Sequence, residues 1–148
     1  MGNPKILNNV RLIQKCIIVH SDGTVLALKR AGDDHSRGGN WDLPGGGYEQ
    51  DEDVTDSIKR EVMEEVGIIA KNVTPVFFAN NSAMSGYFQG DNVFGMCYLC
   101  REWEGEIKLS SEHVEYKWID PSDFAQLDFG EDCGFFNASI TSYQELRY

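Results

Sequence analysis

The stretch from Gly46 to Ile68, GGYEQDEDVTDSIKREVMEEVGI, constrains the fold more than any other part of the chain. Asp51 or Asp53 can cap a helix there and Gly67 can stop it. Val54, Ile58, Val62 and Val66 recur every four residues, giving that helix an apolar stripe. A helix with one apolar stripe must lay it on another element, here a sheet, because strand-like runs flank it on both sides. The same helix carries Glu61, Glu64 and Glu65 within one turn of each other. Like charges four apart repel by roughly 0.2–0.5 kcal/mol per pair. Carboxylates in a last turn also oppose the helix dipole, by roughly 0.3–1 kcal/mol each. At about 100° per residue the three fall in one sector at the edge of the stripe, where they can converge on one point beside the core. A local rule broken without visible compensation is where a functional site is expected.

The flanking segments supply the sheet. Val10 to Gln14 reads as a short first strand, and Lys15 to His20 and Thr24 to Arg30 read as a hairpin about Ser21-Asp22-Gly23. Ala31 to Asn40 is a polar, glycine-rich loop. Pro44 biases Leu43 away from helix, so Trp41 to Pro44 is extended. Beyond the helix, Asn72 to Asn80 reads as a strand in which Pro75 signals an edge or a bulge. Asn81 to Asp91 is a polar loop, and Asn92 to Trp103 is a strand that Ile107 to Leu109 can extend. Glu115 to Asp120 is a further strand, Pro121 to Phe124 a helical turn, and Cys133 to Arg147 a closing helix. The expected class is α/β, a mixed sheet between helices, in one domain spanning residues 1–148.

Several function classes are set aside by charge and composition. A net charge of −11 repels nucleic acid, which needs Lys and Arg on its phosphates. It repels a small polyphosphate equally, unless metal cations bridge the two anions. No apolar run approaches the ~20 residues of a membrane span, and the N-terminus lacks the pattern of a secretory signal. A cytoplasmic protein is the default expectation. Cys97 and Cys100 have no second pair at zinc spacing, and on a strand residues three apart point to opposite faces, so the cysteines read as small buried hydrophobes.

Clustered carboxylates behind a glycine turn suit a hard divalent cation, because magnesium takes oxygen ligands and is held by a few carboxylates plus substrate phosphates. Glu61, Glu64 and Glu65 are the candidate ligands, with a glycine carbonyl beside them. The competing reading is a solvated acidic helix face. Spacing separates the two. From Gly46, five residues lead to Glu52 and seven more to Arg60-Glu61, followed by Val62, Met63, Glu64-Glu65, Val66, Gly67 and Ile68. This resembles the Nudix box, G-x5-E-x7-R-E-U-x-E-E-x-G-U with U apolar, and every specified position is filled. Trp41-Asp42-Leu43-Pro44-Gly45-Gly46 is similar to the family's approach to the box.

The resemblance implies a Nudix-type α/β/α sandwich and hydrolysis of a nucleoside diphosphate linked to another moiety, driven by Mg2+ or Mn2+. It implies that Glu61, Glu64 and Glu65 bind metal with the Gly45 carbonyl, and that Glu61 can also orient or deprotonate a water. Glu52 would stand outside them as a further carboxylate, and Arg60 would pair with a box glutamate and fix its rotamer. Glu112, just before the strand ending at Trp118, resembles the family's additional glutamate and is expected as base or metal ligand, with Glu115 as the fallback. His113 reads as a loop histidine rather than a base.

Substrate recognition is less legible. Arg37 and His35 are candidates for contacts with phosphates or base, and Asn80, Tyr87, Phe78 and Phe88 for contacts with a purine, although strand aromatics are more often core. The proline typical of ADP-ribose hydrolases is replaced by Ala83, Tyr87 only approximates the tyrosine associated with dinucleoside polyphosphates, and the NADH-type array is absent. The nearest resemblance is to the MutT-like nucleoside triphosphate branch. The alternatives are an ADP-ribose, nucleotide-sugar or dinucleoside polyphosphate pyrophosphatase, a nucleotide-binding Nudix sensor without catalysis, and a structural metal-binding domain. The expected partner is a small nucleotide, with neither nucleic acid nor membrane; monomer and homodimer both stay open.

Overall fold

The apolar run near the N-terminus forms one strand, not two. In a computed structural model, which describes residues 2–7, 9–33, 38–80, 92–130 and 133–146 with the side chain of Cys133 excepted, β1 is continuous over Val10–Ile18. It takes both neighbours from distant segments. β4 (Gly45–Gly47) pairs antiparallel on one side, with Lys15 opposite Gly45. β6 (Asn92–Glu104) pairs parallel on the other, from Val10 opposite Asn92 to Ile18 opposite Cys100. β5 (Ile69–Asn80) runs antiparallel to β6 and closes the mixed sheet, whose order is β4-β1-β6-β5. A second, antiparallel sheet has the order β3-β2-β7, from Trp41–Asp42, Val25–Arg30 and His113–Ile119.

The expected hairpin is therefore only a turn. The His20 N–H donates to the Thr24 carbonyl at 2.9 Å and the Gly23 N–H to the His20 carbonyl at 2.8 Å. A single bridge, Val19 to Val25, follows before β1 and β2 part into different sheets. Turn chemistry is local and holds; the ladder is lost because both edges of β1 are claimed by β4 and β6. Pro75 meets both of its expectations, lying on the edge strand β5 and beside shifts of register at Asn72/Thr74 and Pro75/Phe77. Residues Ile107 to Leu109 form no strand.

The helix α1 spans Val54–Val66. Asp53 caps it, its Oδ1 accepting from the Thr55 N–H at 2.9 Å and the Asp56 N–H at 3.2 Å. Gly67 ends it at φ 75°, its N–H donating to the Met63 carbonyl. The buried face is Ser57, Ile58, Val62, Glu65 and Val66. Val54 is 41% exposed and leaves the expected stripe. Repeats of four drift by about 40° each on a helix of 3.6 residues per turn, so Val54 stands well off the direction of Val66.

β1 and β6 are covered on both faces and divide the interior. Cys16, Ile18, Tyr98 and Cys100 join Ile58, Val62 and Val66 under α1. Ile17 and Cys97 join Phe124 from the 3-10 turn Pro121–Gln126, Phe129, and Phe135, Phe136 and Ile140 of the closing helix α2 (Cys133–Glu145). Cys97 and Cys100 thus lie in different cores, as their spacing on a strand requires. The result is the expected mixed sheet between helices. Among the described residues no helix is long and apolar enough to cross a membrane.

Candidate active site

The last turn of α1 leaves carbonyls without helical partners, and no basic residue stands there to answer its dipole. Main-chain donors from the segment just past Ile107 take up that role. The Lys108 N–H donates to the Val66 carbonyl at 2.8 Å and the Ser110 N–H to the Glu65 carbonyl at 3.0 Å. Two residues on, the Ala31 N–H donates to the Glu112 carbonyl at 2.9 Å, and His113 opens β7 opposite Arg30. Docked this way, the segment brings one ligand atom each of Glu65, Glu112 and His113 within 4.8 Å of one another. Among the described residues this is the group of three metal-ligating side chains so gathered.

His113 is thus not a loop residue. It is the first residue of β7 and 4% exposed. Glu112 beside it is exposed. Glu115 stands further along β7, opposite Lys29 and outside the group.

The three box glutamates, which the helical wheel puts in one sector, lie at three different depths. Glu65 is buried, and among the described residues its carboxylate accepts one hydrogen bond, from the Gly45 N–H at 2.8 Å. Burial pushes its pKa up to about 8; Asp42 and Glu61 add to the rise, while Lys15 and the Gly45 N–H oppose it. Glu61 lies half-way in, under Gly46, where a Cβ would come within 2.5 Å of its Oε2. Its pKa is raised too, chiefly by burial. Glu64 is turned outward, with its side chain 56% exposed.

Arg60 ties these carboxylates together. It grips Glu52 with two bonds, Nε to Oε2 at 3.0 Å and Nη2 to Oε1 at 2.9 Å. Its Nη1 reaches both Glu64 oxygens at 3.1 Å and Glu61 Oε1 at 3.3 Å. The planar guanidinium suits such forked pairing. The hydrogen bond from Arg60 holds the Glu52 carboxyl below its usual range. Arg60 thus offsets part of the repulsion at Glu61 and Glu64, while Glu61 still adds to the rise at Glu65.

The two glycines before the helix have separate reasons. Gly45 has φ 147° and passes so close to Gln14 that a Cβ would overlap its carbonyl oxygen. Gly46 lets the backbone lie on the Glu61 carboxylate.

Sequence reasoning missed a buried ion cluster beneath the site. Asp42 is fully buried; its Oδ2 accepts from Arg30 Nη1 at 2.7 Å, and its Oδ1 lies 3.0 Å from Lys15 Nζ and accepts the Leu43 N–H at 2.8 Å. The signal was a lysine inside the apolar run KCIIVH, since a charge in a buried strand needs a partner. Asn80 ends β5 opposite Phe94. Phe78 is 55% exposed and stacks on Phe94 at 5.9 Å, so it is not core. Arg37, His35, Tyr87 and Phe88 lie outside the described residues.

The donors suit a divalent cation: carboxylates at graded depths, a backbone oxygen at Gly45, and a buried Glu65 with one hydrogen bond among the described residues to offset its desolvation. Glu61, Glu64, Glu65, Glu112 and the Gly45 carbonyl could hold it.

Comparison with known proteins identifies the family. A NUDIX domain family model matches residues 11–133. The nucleoside triphosphatase NudI of Escherichia fergusonii is 34% identical over 120 residues, covering 76% of this chain and 84% of that protein. The MutT protein from Methanosarcina mazei Go1 superposes with a TM-score of 0.76 at 22% identity, over 97% of this chain and 100% of that one. The ORF135 protein of E. coli gives 0.77 at 20% identity, over 94% and 91%. At such identities the structural likenesses speak for the fold, and the family rests on the other two findings. The chain belongs to the Nudix family of hydrolases, which act on phosphoanhydride bonds.

Proposed function

We propose that the chain is a metal-dependent pyrophosphohydrolase of the MutT type, cleaving a ribo- or deoxyribonucleoside triphosphate to the monophosphate and pyrophosphate. The observation that carries this reading is the docking of Glu112 beside Glu65 at the end of a box helix whose other carboxylates are held by Arg60. Similarity to a nucleoside triphosphatase supports the substrate class. Glu61, Glu64, Glu65, Glu112 and the Gly45 carbonyl hold Mg2+ or Mn2+. A bound cation neutralises phosphate oxygens and lowers the pKa of a coordinated water.

The remaining chemistry belongs to the side chains. Arg60 keeps Glu61 and Glu64 in fixed rotamers, which positions the reacting groups before substrate arrives. Glu61 takes the proton of the attacking water, since partial burial raises its basicity. Glu112 acts as a ligand rather than the base, because its carboxylate lies within 4.8 Å of the Glu65 and His113 donors. Asn80, with Arg37 and Tyr87, which flank the box in sequence, meets the nucleoside and phosphates. The protein acts in the cytoplasm, and a cation reconciles its charge of −11 with an anionic substrate.

The test is a substrate panel with Mg2+: nucleoside triphosphates, ADP-ribose, nucleotide sugars and dinucleoside polyphosphates. Pyrophosphate release from triphosphates at the highest kcat/KM is expected. Preference for another member would reassign the substrate, and binding without turnover of any would favour the sensor reading.

A further inference from the structure

Carboxylates and carbonyls alone would make a site for a hard cation. The group beside Glu65 is different, because one of its three donors is an imidazole nitrogen. His113 is 4% exposed, so its ring is placed by the fold rather than by solvent. Two constraints fix it. The Glu112 carbonyl accepts from the N–H of Ala31, just past β2, and the His113 N–H donates to the carbonyl of Ser110 at 3.3 Å, the same residue whose N–H docks on the Glu65 carbonyl. Glu65, the buried carboxylate of the group, is 7% exposed, with one hydrogen bond on its carboxylate among the described residues. A buried carboxylate so sparsely satisfied is costly unless a cation faces it.

The spacing is close to that of ligands on one ion. Donors about 2.2 Å from a metal can lie no more than ~4.4 Å apart, against a spread here of up to 4.8 Å. Shifts of a few tenths of an ångström at side-chain ends would close the gap. Ligand type then decides the metal. Mg2+ prefers oxygen and retains its waters, whereas imidazole nitrogen favours first-row transition ions.

We propose that His113 supplies a nitrogen ligand to the cation held by Glu65 and Glu112, giving this enzyme a mixed oxygen–nitrogen centre that selects Mn2+ over Mg2+. The inference rests on the metal-dependent reading above but concerns a residue the Nudix box does not contain.

The experiment is a pulsed-EPR measurement on the full chain loaded with Mn2+, alongside calorimetric titrations with Mn2+ and with Mg2+. The wild-type protein should show 14N modulation from a directly bound nitrogen, changing to the 15N pattern when histidine is isotopically labelled. His113→Gln should abolish the modulation and weaken Mn2+ binding by about tenfold or more, with Mg2+ binding changed by no more than about threefold. His20→Gln and His35→Gln should keep the signal, which locates the nitrogen even if His113→Gln does not fold. Tight Mn2+ binding without nitrogen modulation, or modulation that survives in His113→Gln or vanishes in His35→Gln, would overturn the inference and leave the hydrolase reading standing. Failure of either cation to bind would overturn both.

Discussion

The burial of Glu65 has a thermodynamic signature that can be measured without substrate. Its carboxyl is pushed from 4.5 up to about 8 in the folded protein, with burial the leading cause. Between those values the folded chain holds a proton that the unfolded chain has released. Stability therefore falls as pH rises through this window, because folding must either retain the proton or bury a charge. At about 1.4 kcal/mol per pH unit, the full window amounts to roughly 3–5 kcal/mol. For a domain of this size that is on the order of 10 °C in melting temperature. Glu65→Gln preserves the shape and an oxygen to accept the Gly45 N–H but cannot ionise. Melting temperatures of both proteins, taken in chelator from pH 4.5 to 8.5, should diverge with rising pH in the variant's favour. Added Mg2+ at pH 8 should reverse the order, raising the wild-type protein and leaving the variant nearly unmoved. Parallel pH profiles in chelator would refute the reasoning, since they would mean that Glu65 ionises in the fold as easily as in the unfolded chain.

Three further outcomes follow from other parts of the site. Asp42→Ala strands Lys15 and Arg30 beside a buried gap and should cost about 3–5 kcal/mol in urea unfolding; a loss below about 1 kcal/mol would show that the ion cluster is not structural. Gly46→Ala meets only the movable end of Glu61, whereas Gly45→Ala meets the Gln14 main chain at φ 147°. The first should lower kcat with little change in melting temperature and the second should destabilise the fold by ~1–3 kcal/mol or more, so equal melting temperatures for the two would contradict the distinction. Glu64→Gln should reduce turnover by orders of magnitude while changing stability by less than about 0.5 kcal/mol, because Arg60 keeps its bonds to Glu52; a large drop in melting temperature would count against it.

What the sequence disclosed is what short-range chemistry controls. Asp53 and Gly67 act within one turn of the helix they bound, and both do what their residue types favour. Pro75 lacks a donor, and it lies where a donor is least needed. The box spacing is itself a helical spacing, so residue numbers alone put Arg60 and its glutamates within a turn of each other. Most of the misses involve partners far apart in sequence. The turn at Ser21 to Gly23 cannot reveal that β1 will pair with Gly45 and Asn92. A four-residue repeat, drifting by about 40° at each step, leaves Val54 off the buried face, where it is 41% exposed. Nor can charge pattern alone tell that the box carboxylates separate by depth, because depth depends on the segment that docks over them. His113 looked like a loop residue because nothing nearby marks residue 113 as the start of a strand whose partner is β2.

That docking segment is tied to the end of α1 through peptide groups, the N–H of Lys108 and of Ser110 meeting carbonyls there, while Ile107 and Leu109 pack against the core beneath the helix. Any non-proline residue can offer the same donor. Attachment and chemistry are therefore encoded separately: backbone donors set where the segment lands, and the side chains at residues 112 and 113 set what it would offer to the proposed cation. On the proposed reading, a change at either position would alter the ligand set while leaving the Lys108 and Ser110 hydrogen bonds to α1 available. An insertion or deletion between the anchor at Ser110 and Glu112 would instead move both side chains together.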